Sequence, residues 1–189
     1  MAEANLRVAR LDDAPAIASI YGYYVENTVI SFELTPPDAA EMRQRMVEVM
    51  ADFPWLVAEQ GGEVVGFAYA SSHRPRARAA YTWSIDVTVY LRDGLQRRGL
   101  GRTLYRPLLE IARRQGFCRA YGGIALPNAA SVGLHEAMGF KLVGVYQGVG
   151  FKLGAWRDVG WWGLDLAELP AQPAAPRPFS QSLADAVLA

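Results

Sequence analysis

The feature that most constrains this chain is a turn, Gln96-Arg97-Arg98-Gly99-Leu100-Gly101, set between an alternating apolar run (Tyr81–Leu91) and an amphipathic segment (Leu104–Gln115). A turn that leads from a strand into a helix presents the free N–H groups and the positive dipole end of the helix to whatever lies above it. Glycines let the backbone approach an anion closely. Arg97, Arg98 and Arg102 add positive charge at the same corner, and a diphosphate fits there. Two familiar phosphate loops do not match. There is no G-x-x-x-x-G-K-[ST], and no G-x-G-x-x-G at the first strand–helix turn. An isolated Gly-x-Gly is as often an ordinary helix start, so the flanking pattern has to decide.

That pattern alternates strands and helices. Residues 6–10 read as a first strand, and Asp12 or Asp13 with Pro15 opens a helix carrying Ile17, Ile20, Tyr21 and Tyr24. The stretch 27–34 reads as a loop or short strand. Thr35-Pro36-Pro37-Asp38 then starts a second helix, with Met42, Met46, Val49 and Met50 on one face. Residues 55–60 and 63–72 form a hairpin pattern about Gly61-Gly62. After the strand at 81–91 and its helix, which Gly116 ends, come a strand at 119–126 and a helix capped by Asn128 and stopped by Gly139. Strands at 140–146 and 158–166 close the pattern. The order β-α-α-β-β-β-α-β-α-β-β predicts an α/β (α+β) domain with a mixed sheet and helices on its faces. The domain is expected over 1–168. The Pro- and Ala-rich segment 169–189 reads as a disordered or loosely docked tail.

Bulk properties narrow the function. The 189 residues are 51% hydrophobic with zero formal net charge, which argues against a nucleic-acid binder driven by counterion release. A single cysteine, Cys118, excludes an internal disulfide framework and a Cys-rich metal site; it reads as a small core residue. The polar N-terminus lacks the apolar region of a signal peptide, and no apolar run approaches a membrane span. A soluble cytoplasmic protein is expected, with neither metal nor membrane partner.

The motif Q-x-x-G-x-G after Val89-Tyr90-Leu91, followed by Asn128-Ala129-Ala130-Ser131 and a helix ending in Gly139-Phe140, resembles the acetyl-CoA signature of the GNAT N-acetyltransferase superfamily. The stretches ARAAYTWSIDVTVY (77–90), QRRGLGRTLY (96–105), LPNAASVGLHEAMGF (126–140) and GAWRDVGWW (154–162) are similar to the phosphinothricin and methionine sulfone/sulfoximine acetyltransferase branch. The resemblance covers about residues 6–166. It implies a splayed central sheet with about four flanking helices. Strands near 81–91 and 119–126 would part to admit the pantetheine arm. Val89 and Leu91, with Tyr90 between them, would pair with pantetheine. Amides of 97–102, including Leu100, would hold the pyrophosphate beside Gln96, and Asn128 and Ser131 would complete the acetyl-CoA site. The branch also implies a homodimer.

Acetyl transfer to an amine needs a group to take the ammonium proton and donors for the oxyanion, but no covalent enzyme intermediate. Asp86 is the best base: an acid inside an apolar strand is costly unless it is paired or functional. Related enzymes carry Glu there, one methylene longer. His135 stands where the wider superfamily often has Tyr; it reads equally as acid or base, or as a packed histidine. Arg76, Arg78, Tyr81 and Thr88 match acceptor-contacting positions, and guanidinium forks suit an anionic amino-acid-like acceptor. Phe32-Glu33 resembles a pair at the mouth of the acceptor pocket. Trp156, Trp161 and Trp162 read as packing residues of the last strands or a dimer interface, and His73 stands alone in the sequence. Acceptors of another kind, a protein N-terminus or a polyamine, and a non-catalytic acyl-CoA-binding domain are the competing readings.

Overall fold

Gly61 and Gly62 take positive φ (60° and 83°), the backbone of a tight reversal. The turn they make joins β2 (Trp55–Gln60) to β3 (Glu63–Ser72) in the computed structural model, which describes residues 4–73 and 79–189. With β1 (Asn5–Val8), β4 (Ser84–Leu91), β5 (Arg119–Leu126), β6 (Lys141–Lys152) and β7 (Ala155–Asp165) they build one sheet in the order β1-β2-β3-β4-β5-β7-β6. Its pairs are antiparallel except β4–β5, which run parallel.

Helices α1 (Ala14–Asn27) and α2 (Ala39–Met50) pack one face, burying Ile17, Met42 and Met46 against Trp55, Val57 and Phe67. Asp38 caps α2 by accepting from the Glu41 amide at 2.8 Å. Asp13 does not cap α1 with its side chain; it takes a bidentate pair of 2.7 Å bonds from Arg7, which also reaches Glu59. α3 (Leu100–Gln115) covers the other face, with Leu104, Leu108, Ile111 and Ala112 fully buried against Ala68, Ile85 and Val87. It begins earlier than apolar spacing predicts because Gly99, at φ 83°, turns the chain directly into the first helical turn. α4 (Ala129–Ala137) follows Asn128, whose Oδ1 accepts from the Ser131 amide at 3.1 Å.

Three readings of the sequence change. Tyr81 lies in a 3-10 turn (Ala79–Tyr81) rather than in β4, a turn closed by the Thr82 amide and hydroxyl donating to the Ala79 carbonyl. β6 and β7 are longer than the alternation predicts and run to a tip at Leu153-Gly154, because bulges at Leu142/Gly144 and Tyr146/Gly150 break the period without ending the pairing. The tail is docked. Phe179, Leu183, Val187 and Leu188 pack on the α3 side, and a fifth helix, α5 (Gln181–Leu188), buries Ala184 completely. Trp83 Nε1 donates to the Ala174 carbonyl at 2.7 Å. Gln115, 1% exposed, donates to the carbonyls of Asp52 and Arg177 at 2.8 and 2.9 Å.

Gln115→Leu keeps the volume and leaves two carbonyls without that donor, so it should cost about 1–3 kcal/mol. A urea unfolding curve reads this as a lowered midpoint at constant slope. An unchanged midpoint would mean the Gln115 side chain does not contribute to holding the tail, leaving its apolar contacts and the remaining hydrogen bonds to do so.

Candidate functional site

β4 and β5 pair over only Ser84–Asp86 with Arg119–Tyr121. Beyond Asp86, β4 stays with β3 as far as Leu91, while β5 follows β7 as far as Leu126. The two parallel strands therefore part at the centre of the sheet. The edge of β4 that faces the gap carries main-chain groups with no strand opposite them.

A groove of about 700 Å3 opens on this gap. Every cofactor-side residue singled out in the sequence lines it except Arg98 and Leu100: Val89, Tyr90, Leu91, Gln96, Arg97, Gly99, Gly101, Arg102, Asn128 and Ser131. Leu100 points into the core instead. Arg97 (φ 63°) and Gly99 (φ 83°) both adopt left-handed backbone, which turns consecutive amides toward one side. For Arg97 that conformation is strained, as is common where a loop clamps a ligand. A Cβ on Gly101 would fall 2.8 Å from Leu134 Cδ2, so glycine is what lets α3 and α4 approach here. Tyr24, read from its spacing only as a position on the first helix, braces the loop: its hydroxyl donates to the Leu91 carbonyl at 2.6 Å and accepts from Gln96 Nε2 at 3.0 Å.

Side chains alternate between the faces of the sheet. By register, Asp86, Thr88 and Tyr90 of β4 share the α1/α2 face with Tyr69 and Ser71 of β3 and Tyr121 and Gly123 of β5. On this face lies a cleft of about 550 Å3 lined by Phe32, Glu33, Thr88, Tyr69 and Trp161 among others. Ile30 and Tyr90 line both cavities, so groove and cleft meet at the strand gap. Trp161 is thus a cleft residue rather than only a packing one; Trp162 is core, and Trp156 is exposed.

Glu33 is more firmly held than its place in a loop suggests. Arg45 donates to it at 2.7 and 2.9 Å, and the Tyr21 hydroxyl donates at 2.7 Å. Burial works to raise its pKa, but these bonds and the charge of Arg45 hold the carboxylate below its ordinary range. Lys152 is buried, with Nζ donating to the Val25 and Ser31 carbonyls at 2.6 and 2.7 Å. Phe32 lies against Gly150, where a Cβ would come within 2.2 Å of its ring. The 28–33 loop is therefore pinned to β6. Arg45 and Lys152 carried no signal in the sequence, because their partners lie 12 and more than 100 residues away.

Asp86 sits at the last paired position before the gap, and His73 Nδ1 lies 2.6 Å from its Oδ1. His73 is thus not isolated. Ser71 faces Asp86 across the β3–β4 ladder, which makes residue 73 its diagonal neighbour; register supplied the signal that sequence spacing lacked. Tyr81 is 36% exposed and approaches the His73 ring edge-on, with centroids 5.7 Å apart. Arg76 and Arg78 lie outside the described residues.

His135 lies on the opposite face. It is 3% exposed behind Gly122, where a Cβ would come within 2.5 Å of Nε2. Nδ1 is 2.8 Å from the Ser131 carbonyl, and Nε2 is 3.2 Å from the Tyr105 hydroxyl. A neutral ring satisfies both, donating to the carbonyl and accepting from the hydroxyl. Burial pushes the imidazole pKa down, against a smaller opposite effect of the Ser131 carbonyl. Among the described residues no group of three or more His, Cys, Asp or Glu could hold a metal, and no helix is long and apolar enough to cross a membrane.

Comparison with known proteins gives the same architecture. Residues 6–161 match the acetyltransferase (GNAT) domain family. The chain is 41% identical to phosphinothricin N-acetyltransferase of Streptomyces viridochromogenes, over 94% of this chain and 95% of that one. It is 36% identical to the L-methionine sulfoximine/L-methionine sulfone acetyltransferase of Pseudomonas aeruginosa, over 90% and 99%. The crystal structure of a phosphinothricin acetyltransferase from Sinorhizobium meliloti in complex with AcCoA superposes with a TM-score of 0.86 at 33% identity, covering 96% and 98% of the two chains.

Because the folded state disfavours the charged form of His135, the unfolded chain takes up this proton first as the pH falls. The contribution of His135 is intact above the unfolded value of about 6.5 and is lost as pH falls from there toward the lower folded value. Unfolding midpoints between pH 7 and 5 should therefore fall in the native chain and fall less in His135→Gln. Equal slopes would show that His135 binds its proton equally well in the folded and unfolded chain.

Proposed function

The chain belongs to the GNAT family of acetyltransferases, and from that premise we propose that it transfers acetyl from acetyl-CoA to the α-amine of a small, anionic amino-acid-like acceptor such as phosphinothricin or methionine sulfone. The observation that carries this reading is the meeting of two cavities at the point where β4 and β5 part, one built for a phosphate-bearing ligand and one for its acceptor. Acetyl transfer without a covalent enzyme intermediate needs both ligands bound at once, reacting atoms adjacent.

Roles follow from placement. Amides of the 97–102 turn and the first turn of α3 receive the pyrophosphate, with Arg97 and Arg102 adding charge. The open edge of β4 at Val89–Leu91 takes the pantetheine amides as a strand would, and Asn128 and Ser131 border the same groove. Phe32, Glu33 and Thr88 shape the acceptor cleft, with Arg76, Arg78 and Tyr81 expected to meet the acceptor's anionic group. Glu33 is already neutralised by Arg45, so its part is to fix the loop and present a polar wall rather than to bind the amine as a free charge. Asp86 takes the ammonium proton. His135, satisfied on the far face, supports α4 and β5 rather than the reacting atoms.

Purified protein should release thiol from acetyl-CoA when given L-phosphinothricin or L-methionine sulfone, and Asp86→Asn should lower kcat/KM at least tenfold. Turnover confined to an alanine-initiated peptide or to spermidine would overturn the acceptor assignment. Absence of turnover with every acceptor would favour a non-catalytic acyl-CoA-binding domain.

A homodimer joined along β6, in the cytoplasm, belongs to the same proposal. β6 is an edge strand, and Val143, Val149, Phe151 and the adjoining Trp156 are each more than half exposed. Such an apolar edge invites a partner. Light scattering should give twice the chain mass, and Val143→Lys combined with Trp156→Glu should halve it. A native chain that scatters as a monomer would overturn this part.

A further inference from the structure

At neutral pH the acceptor arrives as an ammonium and the products are an amide and a thiol, so each turnover leaves one proton that must reach water. Given the acetyl-transfer reading and Asp86 as first acceptor, we propose that His73 carries that proton out of the site. The N–H bond of the ammonium breaks as an O–H bond forms on Asp86. For the transfer the neutral ring carries its hydrogen on Nε2 and offers the Nδ1 lone pair to Asp86. The protonated Asp86 passes its proton to Nδ1 while Nε2 releases one to water, and exchange of the Nδ1 hydrogen for one on Nε2 through water resets the ring, so the neutral amine keeps its electron pair for the thioester carbonyl. An imidazole can take a proton at one nitrogen and give one up at the other, and it is the side chain whose ordinary titration falls nearest neutrality.

The geometry supports a relay rather than a chance contact. The Nδ1···Oδ1 separation is 2.6 Å, and the His73 and Asp86 side chains are 14% and 26% exposed. The ring is held in place, lying on Tyr121 with centroids 4.7 Å apart and meeting Trp161 edge-on. His73 also lines a separate cavity of about 230 Å3, between the end of β3, the 3-10 turn and the C-terminal segment at Pro176–Pro178. That cavity shares no lining residue with the acceptor cleft. Tyr81 stands on the wall of this cavity, and a proton released there reaches water on the side of His73 away from Thr88 and Tyr90 of the cleft. The titratable and charged groups around His73 among the described residues are Asp86 from β4, Tyr81 from the 3-10 turn, Tyr121 from β5, and Asp52 and Arg177 across the cavity.

His73→Asn tests this, because the amide keeps a hydrogen-bonding group beside Asp86 but cannot take a proton at one atom and release one at another. With acetyl-CoA and L-phosphinothricin, the KM for acetyl-CoA should stay within about twofold, which also reports an intact fold, while kcat falls about a hundredfold. The acidic limb of the kcat–pH profile should shift, and added imidazole, small enough for the cavity, should restore at least about tenfold. Asp86→Asn should lose rate without imidazole rescue. If His73→Asn keeps kcat within twofold and the native pH limb, the relay is overturned and Asp86 stands as the base. A loss in His73→Asn with neither rescue nor a moved pH limb also overturns it, leaving His73 as support for Asp86. Full activity in Asp86→Asn removes the base assignment and the relay with it. Should His73→Asn fail to bind acetyl-CoA, His73→Gln carries the same test.

Discussion

The structure depends on one interruption in backbone pairing. β4 and β5 share a parallel ladder only as far as Asp86 and Tyr121, and each then keeps its other neighbour. Unpaired main-chain groups inside a protein are costly, so a sheet opens at its centre only where something else satisfies them. The glycine turn and α3 stand at the mouth of this opening, Tyr24 ties the turn back to Leu91, and the acid at the apex is held by His73. The wedge separates a groove that suits a long phosphate-bearing ligand from a cleft that suits a small one, and brings them together at Tyr90.

What was legible in the sequence follows the range of the interactions involved. The turn at 96–101, the Asn128 cap and the strand and helix periods are local patterns, and they appear in the structure close to where the sequence puts them. The lengths of β6 and β7 were not legible, since glycines at 144, 148 and 150 look like strand breakers and are bulges. The docking of the tail was hidden by its proline and alanine content, although Phe179, Leu183 and Leu188 supply enough apolar surface to hold it.

Within the site the same division holds. The groove residues that motifs identify come from two short segments, 89–102 and 128–131, whereas Tyr23, Tyr24, Thr28 and Ile30, from α1 and the loop after it, line the same groove without a motif. Those that shape the acceptor side, Arg45, Lys152, His73 and Trp161, come from four separate elements and meet only through tertiary contact. His135 shows the converse: its place in a motif suggested chemistry, while its burial and two satisfied nitrogens describe a packed ring.

Lys152 ties two parts of the chain that are far apart in sequence. One buried ammonium joins the end of α1 at Val25 and the loop after it at Ser31 to the tip of the last hairpin, and Phe32 occupies space that only a glycine at 150 leaves open. Insertions or deletions in that loop would strand the lysine, and a side chain at 150 would displace the aromatic ring. Over evolutionary time the two segments must change as a matched pair, so acceptor preference in this lineage is expected to diversify through correlated substitutions at both, while the groove across the sheet is left untouched.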